Sequence, residues 1–569
     1  MHMRSKRNSS RHGPVLVGLV CIILVAALLA GCGGSSSGGG SSSSASPSGD
    51  QPILRIGAFP YWFTAMQPFT SGGTPDSFGF QQMYPALVQF PEGKTVAPDL
   101  AESWETSADG LTWTFKLRSG AVWSDGKPIT AKDAAFMINT AARLQTGAAA
   151  ALGIYLGGAK QATAQDDTTL VVTLQAPNAA FLSSICFLPI LPEHVWAPLA
   201  EGDGAKLKTK SLDPAKGPLV VAGPFTIQKL DTRGTTLFKR VDTYYGPKPL
   251  ITGFGMQVFT NGDAIIQALK SGQVDAANML SGTTAPLESD KAFTLQSFGT
   301  FAQTLAVNYS AGNKVHPELH NVKVREAISL ALDREQAMQT AFGGAAQPGG
   351  SCLIPQYVPT FMSAQVPAVG RDVAKANQLL DDLGFAKGSD GIRVADGVKM
   401  SYTLLIPSYA ASYASREADV FSQNMKEVGI EIKPKLVDNL LAAIFGPNGD
   451  YAGFDMSLID FGAQPDPNLG LQCYTSAMLG VYNWNGYSNP KYDKLWSQQV
   501  SEMDTANRKA IIDQMSALLT QDQVEIPLLY HGFPTAWNPQ WQEVPTAGGL
   551  GGWPDYFSRD VFTKLWLKK

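Results

Sequence analysis

Residues 97–133 contain three blocks that carry more structural information than the rest of the chain: Ala97-Pro98-Asp99-Leu100-Ala101-Glu102-Ser103-Trp104; Asp109-Gly110-Leu111-Thr112-Trp113-Thr114-Phe115-Lys116-Leu117-Arg118; and Trp123-Ser124-Asp125-Gly126-Lys127-Pro128-Ile129-Thr130-Ala131-Lys132-Asp133. In the middle block, Trp113, Phe115 and Leu117 alternate with polar side chains. A period of two with one apolar face is typical of a half-buried antiparallel strand. The block therefore predicts a strand over 111–117.

The first half of the chain repeats this short-strand pattern on both sides of the three blocks. Similar runs bounded by turn residues predict strands over 54–59, 168–174, 225–230 and 235–241. The N-terminal half is therefore expected to be rich in strands.

Helical patterns become more frequent later in the chain. Asp263 stands where it could cap a helix that ends at Gly272. Apolar side chains at a 3.6-residue period predict a helix over 324–338. Two more helices are predicted over 491–503 and 508–521.

A strand–helix–strand unit follows Met400. The pattern predicts a strand over 400–406, a helix over 412–428 and a second strand over 430–436. This order is typical of an α/β domain with parallel strands. A last strand is predicted over 526–530.

The N-terminus has the features of an export signal. Basic residues at positions 4, 6, 7 and 11 precede an apolar run over 15–30, which is shorter than the roughly 20 residues that a membrane-spanning helix needs. Leu29-Ala30-Gly31-Cys32 resembles the bacterial lipobox, in which the cysteine becomes the lipidated first residue. We therefore predict a cleaved signal peptide over 1–31 and a lipid anchor on Cys32. The alternative is an ordinary thiol at Cys32 after an uncleaved anchor.

The segment 32–51 is almost wholly Gly, Ser and Ala after its cysteine. Such a composition buries too little apolar surface to fold and is typical of a flexible tether. The chain is therefore expected to be exported and held at the outer face of the cytoplasmic membrane, close to any membrane partner.

Charge argues against a nucleic-acid partner. Without residues 1–31, Lys and Arg fall from 44 to 40 against 48 Asp and Glu, which leaves a net charge near −8. Nucleic-acid binding is driven by basic surface.

Cysteine and histidine spacing does not suggest a metal site or a cofactor. Beyond the signal peptide and Cys32, the cysteines are Cys186, Cys352 and Cys473, without a CxxC pair. An oxidising exterior permits one disulfide, and we predict Cys352 with Cys473. His316 and His320 do not form an HExxH motif, and we expect them in a solvated loop.

Some short stretches match enzyme motifs, but the surrounding sequence does not support an enzyme site. A GxSxG match at 34–38 lies in the tether, where no strand-to-helix turn can present the serine. Residues 120–127 resemble a phosphate loop, but five residues separate the glycines and Pro128 replaces the Ser or Thr. Asp460 and Asp466 could form an acid/base pair only if the fold brings them together. The chain is therefore expected not to be an enzyme, with a lipid-anchored hydrolase as a remote alternative.

The three blocks resemble the signature of the family 5 extracellular solute-binding proteins of bacterial peptide and nickel importers. Further blocks follow in the order of the family: Gly223-Pro224-Phe225, Tyr244-Tyr245-Gly246, Gly272-Gln273-Val274-Asp275, Val324-Arg325-Glu326-Ala327-Ile328, Ala331-Leu332-Asp333-Arg334-Glu335 and Gly486-Tyr487-Ser488-Asn489-Pro490. The resemblance covers nearly the whole chain after the tether.

This resemblance implies an α/β, bilobal, periplasmic-binding-protein-like fold of type II, with two lobes joined by a hinge. The first lobe would hold 52–83, 215–302 and 530–569, with an extra subdomain over 84–214. The second lobe would run over 303–529. Such a protein would act as a monomer and deliver a small-molecule ligand to the permease subunits of an ABC importer.

The resemblance also indicates a ligand cleft. In peptide-binding members an aspartate after a Gly-Trp element holds the α-amino group of the ligand; here Phe461 takes the Trp position and Gln464 the aspartate position. Asp460 or Asp466 could substitute for that aspartate, or the ligand is not a peptide. The remaining candidate cleft residues are aromatic, namely Tyr61, Trp62, Tyr84, Trp484 and Tyr530. An oligopeptide-like ligand is expected; an oligosaccharide, an opine-like compound or a metal chelate are the alternatives.

Overall fold

The computed structural model describes twelve parts of the chain. They are residues 49–58, 66–69, 74–91, 95–145, 149–277, 284–350, 361, 369–447, 449–451, 453–462, 466–544 and 559–568. The predicted signal peptide, Cys32 and most of the tether lie outside these residues. No helix in the described ranges is long and apolar enough to cross a membrane.

The strands alternate with the helices along most of the chain. The strands are β1 (Leu54–Ala58), β2 (Val88–Gln89), β3 (Ala97–Pro98), β4 (Ala101–Thr106), β5 (Thr112–Leu117), β6 (Ala159–Ala164), β7 (Thr169–Leu174), β8 (Phe225–Lys229), β9 (Thr235–Arg240), β10 (Gly253–Val258), β11 (Ala276–Ala277), β12 (Thr294–Val307), β13 (Ala346–Pro348), β14 (Val394–Ala395), β15 (Val398–Lys399), β16 (Ser401–Pro407), β17 (Glu431–Val437), β18 (Met456–Gly462), β19 (Glu525–Trp537), β20 (Trp541–Gln542) and β21 (Trp566–Leu567).

The helices are concentrated in the second half. They are α1 (Thr74–Met83), α2 (Ala131–Leu144), α3 (Phe181–Ile185), α4 (Glu193–Trp196), α5 (Gly262–Lys270), α6 (Ala285–Glu288), α7 (Val322–Ala331), α8 (Arg334–Phe342), α9 (Val373–Asp382), α10 (Ala411–Glu427), α11 (Leu440–Phe445), α12 (Asn468–Gln472), α13 (Pro490–Ser501) and α14 (Thr505–Gln521).

The three sequence blocks supply β4 and β5 of a small antiparallel sheet and the helix α2, whereas β6 and β7 of that sheet follow later in the chain. The sheet has the order β4-β5-β7-β6, and the predicted inward face of β5 is buried, with Phe115 fully inaccessible. The third block first forms a turn, in which the Gly126 N–H donates to the Trp123 carbonyl. It then continues into the start of α2. Thr130 and Asp133 form a capping box there, which satisfies two backbone donors that a helix start otherwise leaves free. The apolar core of this part is continuous with that around β1 and β10.

Two long strands connect the lobes of this α/β, bilobal fold. β12 and β19 pair along most of their length, from Thr294 opposite Trp537 to Ala306 opposite Glu525. At one end β19 pairs with β11, and at the other end β12 pairs with β18. The described residues thus form one sheet in the order β17-β16-β18-β12-β19-β11-β1-β10-β9-β8, with β13 beside β19. The domain bounds stay a prediction.

The second lobe contains the predicted strand–helix–strand unit. β16 pairs in parallel with both β17 and β18. Tyr402, Leu404 and Ile406 face a core that includes α7 and α10, whereas Leu405 faces a core that includes α13 and α14. Helices therefore cover both faces of these strands, as parallel strands require.

Three expectations from the sequence were wrong. The helix predicted over 324–338 is two helices, because Asp333 caps α8 by accepting from the Gln336 N–H. Helix α5 is capped by Asn261 rather than Asp263. His316 is buried, not solvated, and its Nδ1 lies 3.0 Å from Glu318 Oε1.

The predicted disulfide is not formed in this structure. Cys473 is a free, buried thiol whose Sγ lies 3.4 Å from the Leu469 carbonyl oxygen, within the core that includes Trp484. Cys352 lies outside the described residues.

Candidate ligand-binding site

The candidate site lies at one edge of the sheet in the second lobe. The parallel strands β16, β17 and β18 end there at Pro407, Val437 and Gly462. In open α/β sheets, ligands bind outside the carboxyl ends of the strands. Helix α10 begins shortly after β16, so its first turns approach the same edge.

Asp460 lies two residues before the end of β18 and is enclosed by two neighbours. The Tyr413 hydroxyl, from α10, donates to Asp460 Oδ2 at 2.5 Å, and His531 Nε2, from β19, lies 3.0 Å from Asp460 Oδ1. The side chain of Asp460 is 7% exposed and that of His531 is inaccessible. A carboxylate only accepts hydrogen bonds, so this contact places a hydrogen on Nε2.

Aromatic rings hold the imidazole of His531 in place. The ring centroids of Phe342 and Phe301 lie 4.6 and 5.7 Å from that of His531, both in stacked geometry. A side chain at Gly462 would meet the Phe301 ring at 3.2 Å. The stack therefore extends from the core of the second lobe to the end of β18.

A second acid lies behind Asp460. Glu417, on α10, is fully buried, and Gln303 Nε2 donates to its Oε2 at 2.9 Å. Burial, assisted by the nearby charge of Asp460, holds the pKa of Glu417 well above its ordinary value. Glu417 therefore keeps its proton at a higher pH than an exposed glutamate does.

Asp466 forms an ion pair inside the second lobe. Arg508 Nη1 and Nη2, from α14, donate to its two carboxylate oxygens at 2.5 and 2.7 Å. The guanidinium also lies 4.9 Å from the centroid of the Phe361 ring and donates to Gln499. Asp466 is thus held in a bidentate, largely buried pair.

Trp484 belongs to a neighbouring buried group. Its Nε1 donates to Glu525 Oε1, and its ring lies 6.1 Å from that of Tyr474 and 6.3 Å from that of Phe461. Burial raises the pKa of Glu525 to about 7, although hydrogen bonds from Tyr474, Trp484 and Thr304 oppose the rise.

The structure brings some of the predicted residues together. Asp460, Phe461, Asp466 and Trp484 all lie in the second lobe around the end of β18. Tyr530 is buried on β19 opposite Ala302, next to His531 in the chain.

Other predicted residues lie elsewhere or are not described. Tyr84 is buried in the core of the first lobe, where burial raises its pKa, so it packs rather than faces a cleft in this structure. Tyr61, Trp62 and Gln464 lie outside the described residues.

Sequence reasoning missed the partners of these acids, namely Tyr413, Glu417, His531, Gln303 and Arg508. One sequence feature indicates a buried partner for Glu417. Tyr413 and Glu417 are four residues apart, on the apolar face of α10 that continues to Phe421. A glutamate on an apolar stripe needs a buried partner.

A narrow crevice lies between α3 and the residues around α12. Its polar lining includes Ser183 and Ser184 on one side and Asp466, Asn468 and Gln472 on the other. Nearby, the Ala179 N–H donates to the Val500 carbonyl at 2.8 Å. The first and second lobes are therefore in contact beside the candidate site.

In the described part of the chain, no group of three or more His, Cys, Asp or Glu side chains is arranged to hold a metal ion. The histidine nearest the candidate site, His531, is stacked between aromatic rings.

A family model described as "Bacterial extracellular solute-binding proteins, family 5 Middle" matches residues 95–477. The chain belongs to this family. The family 5 protein is 28% identical over 394 residues to a Brucella ovis protein named as an ABC transporter peptide-binding protein, in a match that covers 68% of this chain and 70% of the relative.

Two solved structures have a similar fold. The oligopeptide-binding protein AppA from Bacillus subtilis, in complex with a nonapeptide, has a TM-score of 0.77 at 21% identity, over 92% of this chain and 100% of that chain. NikZ from Campylobacter jejuni, in complex with Ni(L-His), has a TM-score of 0.76 at 21% identity, over 91% of this chain and 99% of that chain. The family 5 protein is thus an exported, non-enzymatic, solute-binding component of an ABC importer.

Proposed function

We propose that this family 5 protein is a lipid-anchored receptor that captures an oligopeptide-like solute between its two lobes and delivers it to a membrane permease. The observation that carries the proposal is the pair of strands β12 and β19, which continue from one lobe into the other. A ligand that contacts both lobes stabilises the closed arrangement, because only that arrangement lets one molecule touch both faces.

The ligands of the fold neighbours support two candidate classes. AppA was solved with a nonapeptide and NikZ with a nickel–histidine chelate. A non-peptide solute is the second candidate here, since the family resemblance implies that Gln464 takes the position at which peptide-binding members carry the aspartate that holds the amino group. A neutral amide can accept a hydrogen bond from an ammonium group, but it cannot form an ion pair with it.

Thermal unfolding of the compact unit Ser48–Lys569 with a library of peptides, sugars and metal chelates tests the binding function. A solute at 100 times its dissociation constant is expected to add about 2.7 kcal/mol of stability, which raises the midpoint. Hydrolysis of chromogenic ester, amide or glycoside substrates, lost on one point substitution, would instead support a hydrolase.

The lipid anchor is tested separately. Full-length protein in a bacterial host that lipidates exported proteins is expected to incorporate labelled fatty acid and stay with the membrane, and Cys32→Ser is expected to abolish both. Cys473→Ser serves as the control, because that thiol is buried. Label retained by Cys32→Ser would contradict the anchor.

Delivery to a permease is tested by transport. Uptake of a labelled solute found in the thermal screen is expected to fall when the gene for this chain is deleted. Complementation with the wild-type chain should restore it, and unchanged uptake would contradict this part of the proposal.

A further inference from the structure

A hydrogen bond joins the two lobes beside the candidate site. The Ala179 N–H, in the loop before α3, donates to the Val500 carbonyl in the last turn of α13 at 2.8 Å. Phe181 of α3 belongs to the core around β1 and β5, whereas Leu495 of α13 belongs to a separate core of the second lobe. The bond therefore connects two parts of the described chain whose apolar cores are distinct.

The acceptor of this bond is a carbonyl group at the end of a helix. Helix α13 ends at Ser501, and the last four carbonyl groups of a helix have no partner within it. The neighbouring Gln499 carbonyl accepts from Arg508 Nε at 3.2 Å, and the Gln499 amide donates to Asn468 Oδ1 at 2.7 Å. These contacts fix the end of α13 within the second lobe, and the Val500 carbonyl accepts from the first lobe.

Asn178 fixes the loop that carries the donor. Its Nδ2 donates to the Gly157 carbonyl at 2.7 Å, its Oδ1 accepts from the Ala180 N–H at 2.8 Å, and the residue is buried. Both bonds stay within the first lobe, so they hold the Ala179 N–H in position whether or not the lobes touch. Little conformational entropy is therefore lost when this N–H meets Val500.

Met503, just beyond the end of α13, adds an apolar contact. A Cβ at Gly110 would lie 3.1 Å from the Pro177 Cβ and 3.7 Å from the Met503 Sδ, which places this methionine against the turn between β4 and β5. Met503 is nevertheless 44% exposed. Because a methionine side chain is flexible and adaptable, it can make and break such a contact at the surface.

We propose that the loop 175–180 and the end of α13, with Met503, form a latch that stabilises the closed arrangement of the lobes before a solute binds. All partners in the latch are groups of this chain, so the latch forms without a solute. A hydrogen bond and a half-exposed methionine are weak enough to break readily. The ligand-free protein therefore exchanges between latched and open arrangements, and a solute that lies between the lobes enters the open one. This inference rests on the proposed capture function and adds a control of solute entry.

The first test uses the ligand-free compact unit Ser48–Lys569, which contains all four apolar cores of the described residues. Ala179→Pro removes the donor N–H, whereas Ala179→Gly keeps it and is the matched control. Small-angle X-ray scattering is expected to give a larger radius of gyration for Ala179→Pro than for the wild type or Ala179→Gly, because loss of one hydrogen bond shifts the ratio of closed to open protein by roughly 2- to 10-fold. Equal radii in the three proteins would overturn the latch.

A second variant does not introduce a proline into the loop. Hydrogen–deuterium exchange at the Ala179 amide is measured by mass spectrometry in the wild type, Met503→Ala and Val398→Ala. Val398 is an exposed apolar residue on β15, outside the latch, and serves as the control. Met503→Ala is expected to speed exchange at this amide relative to both other proteins. Exchange that is as fast in the wild type as in Met503→Ala would contradict the latch.

The effect on solute entry is measured separately, by stopped-flow association of a solute found in the thermal screen. Association is expected to be faster for Ala179→Pro than for Ala179→Gly, by up to the same factor, because a larger share of the protein is open. Equal association rates would overturn the control of entry. If no solute binds at all, the proposed binding function fails, whereas the ligand-free measurements still decide whether the latch exists.

Discussion

Glu525 is a buried acid whose proton should make stability depend on pH. It accepts a hydrogen bond from Trp484, and burial raises its pKa from 4.5 to about 7. The folded protein therefore binds this proton more tightly than the unfolded chain does. Its contribution to stability is present below pH 4.5 and is lost as the pH rises to about 7, a difference of about 3 kcal/mol.

Glu525→Gln should remove that part of the pH dependence, because the amide keeps the acceptor for Trp484 without a charge. Urea unfolding at pH 5 and pH 7 measures it: the wild type should lose more stability than the variant between these values. Asp438→Asn is the control and should behave as the wild type. A variant that loses as much stability as the wild type would contradict the raised pKa.

The 3₁₀ turn Arg559–Phe562 is held by a buried ion pair, by hydrogen bonds and by contacts between aromatic rings. Arg559 Nη1 binds Asp99 Oδ2, which lies in the first sequence block, and Arg559 Nε donates to the Gln81 carbonyl at 2.8 Å. The Phe562 ring lies 4.7 Å from that of Phe254. The end of the chain thus ties together parts of the first lobe that are distant in sequence.

Arg559→Ala should destabilise the protein by about 3 to 5 kcal/mol, because it leaves the buried Asp99 carboxylate without its cation. Lys229→Ala, which removes an exposed pair with Asp231, is the matched control and should cost less than about 1 kcal/mol. Chemical denaturation compares the two. Equal effects would mean that the buried pair contributes no more than a surface pair.

Elements whose pattern depends on local sequence could be predicted. The spacing of apolar side chains alone predicts the strand over 111–117 and the strand–helix–strand unit after Met400. The structure confirms both. The periodicity of the apolar residues does not predict the break between α7 and α8 at Leu332, because the apolar stripe continues through it. The break is marked only by Asp333, which caps the start of α8. Local sequence patterns therefore predict where an element lies better than they predict where it ends.

The candidate site was less predictable than the elements. The place of Asp460 near Gln464 in the sequence marks it as a candidate, but its partners Tyr413 and His531 lie 47 and 71 residues away in sequence. Their meeting depends on the register of β18, β12 and β19, which no local pattern encodes. The same reason explains why the ion pair of Asp466 with Arg508 was missed.

At the scale of the whole molecule, we propose that the lobes move through β12 and β19, the two strands that run between them. Register shifts interrupt their pairing next to Phe298 and Gln303, where the ladder of hydrogen bonds is weakest. Hinges are commonly a few residues that absorb the change in backbone angles. A bound solute should therefore bring the lobes together with little change inside either lobe.

Small-angle X-ray scattering of the compact unit Ser48–Lys569, with and without a solute found in the thermal screen, tests solute capture between the lobes most directly. A saturating solute is predicted to lower the radius of gyration and to leave the protein monomeric. Scattering that is unchanged by a solute bound at full occupancy would contradict capture between the lobes.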